Sequence, residues 1–220
     1  MAIKAVVFDF DGVIIDTEIA EFQAWQEIYT EHGSHLPVEV WAACIGTSAD
    51  AFDPYDYLEK QVNRTIDRQA VGARRRERHL SLVAEKPVMP GVVECLLAAR
   101  ELNIRVGLAS SSTLSWVEGL LARHGLLAYF DDIKCADHVE KVKPYPDLYQ
   151  ASLAALGVAG NEAIAFEDSL NGLLAAKAAG LYCVVIPHDL TRHLVFDQAD
   201  LILNSLAEMP LAAIIKKVAG

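Results

Sequence analysis

The sequence has no long hydrophobic run, no surplus of basic charge and no paired cysteines, and each absence removes a class of function. No apolar stretch in the 220 residues approaches the roughly 20 needed to cross a bilayer, so no membrane partner is expected. Lys and Arg number 19 against 30 Asp and Glu, a formal charge of −11, which leaves no basic stripe for nucleic acid. Cys44, Cys95, Cys135 and Cys183 are scattered, with no CxxC pair and no His at ligand spacing. They read as small apolar residues of a reduced protein, neither disulfides nor zinc ligands. No secretory leader is expected, since an acid stands at position 9 before any apolar region of useful length. A cytoplasmic protein is expected. What is abundant is apolar character, at 53 %, enough to bury one large core with a modest insert.

That apolar character falls in a rhythm. Residues 3–8 form a short, β-branched, nearly continuous apolar run of the kind found in buried parallel strands. Similar runs recur at 104–109, 163–166 and 182–186, with weaker ones at 133–136 and 199–203. Amphipathic helical patterns lie between them at 92–102, 114–124, 148–156 and 170–179, several closing on a glycine, and a last helix begins near Leu206. Alternation of this kind predicts an α/β protein built on a doubly wound parallel sheet.

One stretch interrupts the rhythm. Residues 16–87 offer no convincing strand, whereas Ile19, Phe22, Trp25, Ile28 and Tyr29 share one helical face, in a helix that stops by Gly33. Further helices are expected after Pro37, near Pro54 and over 66–84, and Pro87 and Pro90 mark the return to the sheet. The expected organisation is an α/β core from 1–15 and 88–220, with an all-helical cap at 16–87 joined through two hinges.

In an open parallel sheet, ligands bind beyond the carboxyl ends of the strands. The first strand ends in Asp9-Phe10-Asp11-Gly12 and the second in Ser110-Ser111-Ser112; Lys143-Pro144 follows the third, and the fourth ends in Glu167-Asp168-Ser169. Each has a bland reading. Asp-x-Asp-Gly can be a turn, the serines and Glu167-Asp168-Ser169 can cap helices, and Lys143 can be a solvated loop residue. If the acids converge, like charges about 4 Å apart repel by about 4 kcal/mol at an intermediate dielectric, and a hard cation relieves that. Oxygen-only ligands select an ion of the magnesium type. Backbone N–H groups and hydroxyls at Ser110 and Ser111, with the charge of Lys143, suit the oxygens of a phosphoryl group. A carboxylate can form an aspartyl-phosphate while a neighbouring acid moves the proton.

Phe8-Asp9-Phe10-Asp11-Gly12-Val13, Ala109-Ser110, Lys143-Pro144 and Glu167-Asp168-Ser169, in that order, resemble the haloacid dehalogenase superfamily. The resemblance covers essentially the whole chain, cap included, and is nearest to the branch holding β-phosphoglucomutase and small-metabolite phosphatases. It implies Asp9 as the nucleophile and Asp11 as the acid and then the base. Ser110 and Lys143 would hold phosphoryl oxygens. Asp9, Asp168 and the backbone carbonyl of Asp11 would hold Mg2+, with Glu167 as a further ligand, direct or through water.

Within the family, an acid at Asp11 speaks against a dehalogenase, and Lys60 as the sole cap lysine before the hinge region speaks against a phosphonatase. The mutase carries a cap histidine where this chain has Glu21, and an arginine after its Gly-x-Ser where this chain reads Gly46-Thr47-Ser48-Ala49. A phosphatase acting on a small phosphorylated metabolite, with a sugar phosphate as the leading substrate, is therefore preferred, and a phosphosugar mutase is the alternative. A receiver-like phospho-signalling module is the reading from another class; the helical cap and the early position of Asp9 oppose it. The expected assembly is a monomer, with a homodimer as the alternative. The run Arg74, Arg75, Arg76 and Arg78 is read as a solvated helix face, Trp25 and Phe22 as cap core, and the histidines receive no role.

Overall fold

The computed structural model describes residues 2–46 and 52–220. Thr47, Ser48 and Ala49, which enter the comparison with the mutase loop, lie outside the described residues. Strands β1 (Ala5–Phe8), β2 (Arg105–Ala109), β3 (Asp132–Lys134), β4 (Ala163–Glu167), β5 (Tyr182–Val185) and β6 (Leu201–Ile202) form one sheet. Its order is β3-β2-β1-β4-β5-β6, and every neighbouring pair is parallel. The expected strands are present with ends moved by a residue or two, where ladders fray. The last helix differs more. A single 3-10 turn occupies Leu206–Glu208, and the α-helix starts only after Pro210, whose fixed φ suits a helix start but not its interior.

The period-2 alternation of the strands decides which residue faces which layer. Val6, Phe8, Val106, Ile164 and Phe166 point to one side, where α5 (Val92–Glu101), α6 (Leu114–Arg123) and α9 (Leu211–Ala219) pack. Phe8 and Phe166 are both fully buried, with ring centroids 4.8 Å apart. Ala5, Val7, Ala163 and Ala165 point to the other side, under α7 (Asp147–Leu156) and α8 (Leu170–Ala178). Small residues on that face admit the helices closely: a Cβ on Gly107 would lie 2.5 Å from Ser152 Oγ.

Between β1 and α5 stand α1 (Thr17–Glu31), α2 (Val38–Ala42), α3 (Pro54–Val62) and α4 (Arg68–Ala84). They bury their own aromatic-rich cluster, including Trp25, Tyr29, Trp41 and Leu58. The helix predicted from 66 starts two residues later because Asp67 caps it, its side chain accepting from Ala70 N at 3.0 Å. The two chain crossings lie side by side: Ile15 bridges Val88, and Met89 N donates to Ile14 O at 2.9 Å. This insert therefore joins the sheet through two adjacent crossings directly beside the end of β1.

Phe166→Ala should cost about 3–5 kcal/mol of stability, because it empties a fully buried site between two layers. Urea unfolding measures this, as a lowered midpoint with an unchanged slope.

Candidate active site

The sheet order reverses direction at β1 and β4, and such a switch point leaves a crevice beyond the strand ends. Asp9 follows β1, Glu167 ends β4 and Asp168 follows it, so the sheet register alone brings three acids together. Asp9 N donates to Phe166 O at 2.9 Å, extending the β1–β4 ladder by one rung and fixing the acid beside its partners. Carboxylate oxygens of Asp9, Glu167 and Asp168 lie within 4.8 Å of one another, and all three residues are buried.

Lys143 enters this cluster from the loop after β3. It is 1 % exposed, so the solvated-loop reading fails. Its Nζ lies 2.7 Å from Asp9 Oδ1 and 2.6 Å from Glu167 Oε1, and Tyr149 Oη, delivered by α7, donates to the same Glu167 oxygen at 2.5 Å. Burial pushes Asp9 well above the usual carboxylate range; Lys143 opposes this, while Glu167, Asp168 and Asp11 reinforce it. For Lys143, burial works against the charge, but Asp9 and Glu167 more than offset it and its pKa rises. Glu167 is raised by burial, with Lys143 opposing. Two glycines make this density possible. Gly172 would place a Cβ about 2 Å from the Glu167 carboxylate, and Gly12, at φ +81°, would place one 2.1 Å from Asp168 Oδ2.

The donor set fits a hard cation. Asp168 Oδ2 is held by His188 Nε2 at 2.8 Å, whereas Asp168 Oδ1 is buried with no hydrogen-bond partner among the described residues. Glu167 is more committed, with Oε1 bound to Lys143 and Tyr149 and Oε2 accepting from Ser169 at 3.3 Å. The Asp11 carboxylate lies outside the acid cluster.

Asp11 turns the other way. It accepts from Thr17 Oγ1 and Ser112 Oγ at 2.6 Å, Trp116 Nε1 at 3.1 Å and Ser110 Oγ at 3.2 Å. Both carboxylates border a cavity of about 540 Å³ between α1, α4 and the loop of residues 111–113. Ser110 is fully buried and Ser111 lines the cavity, its Oγ donating to Gly46 O of the insert at 3.0 Å. The serines do not cap α6: Thr113 holds that position, and Asp137 Oδ2 accepts from Leu114 N. Ser169 does cap α8, accepting from Gly172 N at 3.0 Å.

Sequence reasoning missed Ser112, Trp116, Tyr149 and His188. His188 follows β5, so asking the same question of the fifth strand end would have found it. Trp116 and Tyr149 sit inside helices, and only packing brings them to the site. The basic run divides. Arg74 and Arg78 pair with Glu31 and Glu27 on the outer α1–α4 seam and Arg76 is exposed, as a solvated face requires. Arg75 faces the cavity, with Nη1 donating to both Glu21 oxygens at 2.8 and 2.9 Å. Glu21 also accepts from Trp25 Nε1 and meets His79 Nδ1 at 2.7 Å.

The model of the haloacid dehalogenase-like hydrolases matches residues 3–180. The chain belongs to this family. It is similar to the Bacillus subtilis (strain 168) protein named "Putative phosphatase YhcW", with 46 % identity over 97 % of this chain and 96 % of the relative. Hexitol phosphatase B of Escherichia coli (strain K12) is 33 % identical over 94 % of both chains. The solved structure of a CbbY variant from Rhodobacter sphaeroides, in complex with xylulose-(1,5)bisphosphate, aligns with a TM-score of 0.74. Identity is 32 %, over 96 % of this chain and 98 % of that one. The family makes the chain a hydrolase, and its named relatives include phosphatases. No helix among the described residues is long and apolar enough to cross a membrane.

Burial raises the Glu21 carboxyl, but the bonds from His79 and Arg75 prevail and hold it below its ordinary value of 4.5. A group whose folded pKa is depressed stabilises the fold fully above its unfolded pKa and loses that contribution as pH falls through the folded value. Glu21→Gln should therefore destabilise the protein by about 1–3 kcal/mol at pH 7. Chemical denaturation across pH should show the difference shrinking below about 4.5.

Proposed function

We propose that this enzyme hydrolyses the monoester of a small phosphorylated metabolite, with a sugar phosphate as the leading substrate, through an aspartyl-phosphate on Asp9. The observation that carries the proposal is the division between its two neighbouring acids. Asp9 Oδ1 is held by Lys143, which leaves Oδ2, unused by any hydrogen bond among the described residues, for in-line attack. Asp11, two residues on, faces a set of hydroxyl and indole donors across the same cavity.

An Asp9 oxygen attacks phosphorus, the bond to the ester oxygen breaks, and Asp11 delivers a proton to that leaving oxygen. Asp11 then takes a proton from water as it attacks the phosphoenzyme, releasing phosphate and restoring Asp9. Lys143 orients Asp9 and balances charge on the phosphoryl oxygens. The Ser110 and Ser111 hydroxyls and the Ser111 backbone N–H bind those oxygens; the Ser110 N–H is not available, since it donates to Lys134 O at 2.9 Å. Asp9, Asp168 and the Asp11 carbonyl would hold Mg2+, with Glu167 acting directly or through water; the unpartnered Asp168 Oδ1 supports this set. Bound there, the ion would offset the acids' mutual repulsion and the charge developing on phosphorus. Residues 16–87 act as the cap that shields the reaction from water, and residues 1–15 and 88–220 as the catalytic core.

Mutase chemistry finds less support. At the position of the mutase's cap histidine, Glu21 is already saturated by Arg75, His79 and Trp25.

Phosphate release tests the proposal. Asp9→Asn should abolish turnover while the far-ultraviolet circular dichroism and melting transition persist; retained activity would sink it. Asp11→Asn should slow turnover by about 10²–10⁴-fold. A chelator should stop the reaction and added Mg2+ restore it. With β-glucose 1-phosphate, free phosphate should appear without glucose 6-phosphate.

A further inference from the structure

The cavity carries a charge surplus that the phosphoryl chemistry does not use. Four carboxylates line it, Asp9, Asp11, Glu18 and Glu21, against one guanidinium, Arg75, and one imidazole, His79, both of which are spent on Glu21. Asp9 and Asp11 are accounted for by the proposed reaction; Glu18 and Glu21 are not. Arg75 is already committed, with Nη1 on both Glu21 oxygens and the guanidinium 5.6 Å from the Trp25 ring. Lys143 is buried between Asp9 and Glu167. Glu18, on the first turn of α1, has no hydrogen-bond or ion-pair partner among the described residues.

The surplus continues beyond the main chamber. A side cavity of about 300 Å³ shares Glu18, Glu21 and Arg75, and adds Trp25, Trp41 and Tyr55 but no further Lys or Arg. The sequence from residue 33 to residue 59, which includes residues 47–51, contains neither Lys nor Arg, so that stretch offers no permanently charged cation.

At an intermediate dielectric, one like charge about 8 Å away changes affinity by roughly 30-fold. We propose that the enzyme acts on monophosphates whose leaving group is an uncharged or cationic polyol, and that Glu18 and the Glu21–Arg75 pair reject substrates carrying a second phosphate or carboxylate. This rests on the phosphatase reading above. Burial, then Asp11, Asp168 and Asp9, push the Glu18 carboxyl well up, which opposes its own ionisation. A second anionic group would meet the same burial and the same neighbouring acids, and among the described residues lining the cavity no uncommitted Lys or Arg would receive it.

The test is phosphate release with Mg2+ on matched pairs that differ in one anionic group. Suitable pairs are fructose 6-phosphate against fructose 1,6-bisphosphate, and glycerol 1-phosphate against 3-phosphoglycerate. Glucosamine 6-phosphate against glucose 6-phosphate adds a cationic member, and p-nitrophenyl phosphate is the reference. The second anion should lower kcat/KM at least about tenfold in each pair, the amine should not, and Glu18→Gln should narrow the ratio. If that variant does not fold, the wild-type ratio should still narrow as ionic strength rises. Equal or faster turnover of the doubly anionic members overturns the inference and leaves the phosphatase reading standing. No turnover on any substrate, p-nitrophenyl phosphate included, removes the reading and the inference together.

Discussion

The site depends on one buried ammonium. The parallel register drives Asp9, Glu167 and Asp168 into a space where their oxygens lie within 4.8 Å. Without a cation, acids at such spacing would push one another apart or take up protons. Lys143 answers part of that demand from within the chain, and its own burial is tolerable only because Asp9 and Glu167 both receive it. Removing one partner of such a group typically costs about 3–5 kcal/mol, since a lone charge stays buried. The surroundings follow from this: Tyr149 and Ser169 satisfy Glu167, Gly172 leaves it room, and Gly12 leaves room for Asp168.

A second consequence is the asymmetry between Asp9 and Asp11. A strand turns successive side chains to opposite sides, but Asp9 and Asp11 are two apart and would share a face if β1 continued. It does not, because Gly12 at φ +81° opens the turn toward the insert. Asp9 stays with Lys143 in the core while Asp11 swings to Thr17 of α1 and to Ser112 and Trp116 of the facing loop and helix. The proposed nucleophile and the proposed proton carrier thus occupy different electrostatic settings, one against an ammonium and the other against neutral donors. The insert takes part directly, through Thr17 and through Gly46 O, which accepts from Ser111.

Much of this was legible in the chain because it obeys local rules. The apolar runs gave the strands, closing glycines gave helix ends, and the rule that ligands gather past parallel strands pointed to Asp9, Lys143 and the acids after β4. What stayed hidden depends on which face of a helix meets the site. Trp116 and Tyr149 look like ordinary core aromatics, and their polar atoms matter only once α6 and α7 are docked. Arg75 was folded into a run whose other members are solvated; telling it apart required knowing that α4 packs on α1 with Glu21 opposite. His188 was within reach of the strand-end rule, and it was missed because the rule was applied to only four strands.

The most direct test of the central claim is chemical trapping of the phosphoenzyme. Acid quenching during turnover, followed by borohydride reduction, converts an aspartyl-phosphate to homoserine, and peptide mass spectrometry locates it. The account predicts homoserine at position 9, in substrate-treated enzyme only. Modification at another acid, or none at all in a sample that is releasing phosphate, would contradict it.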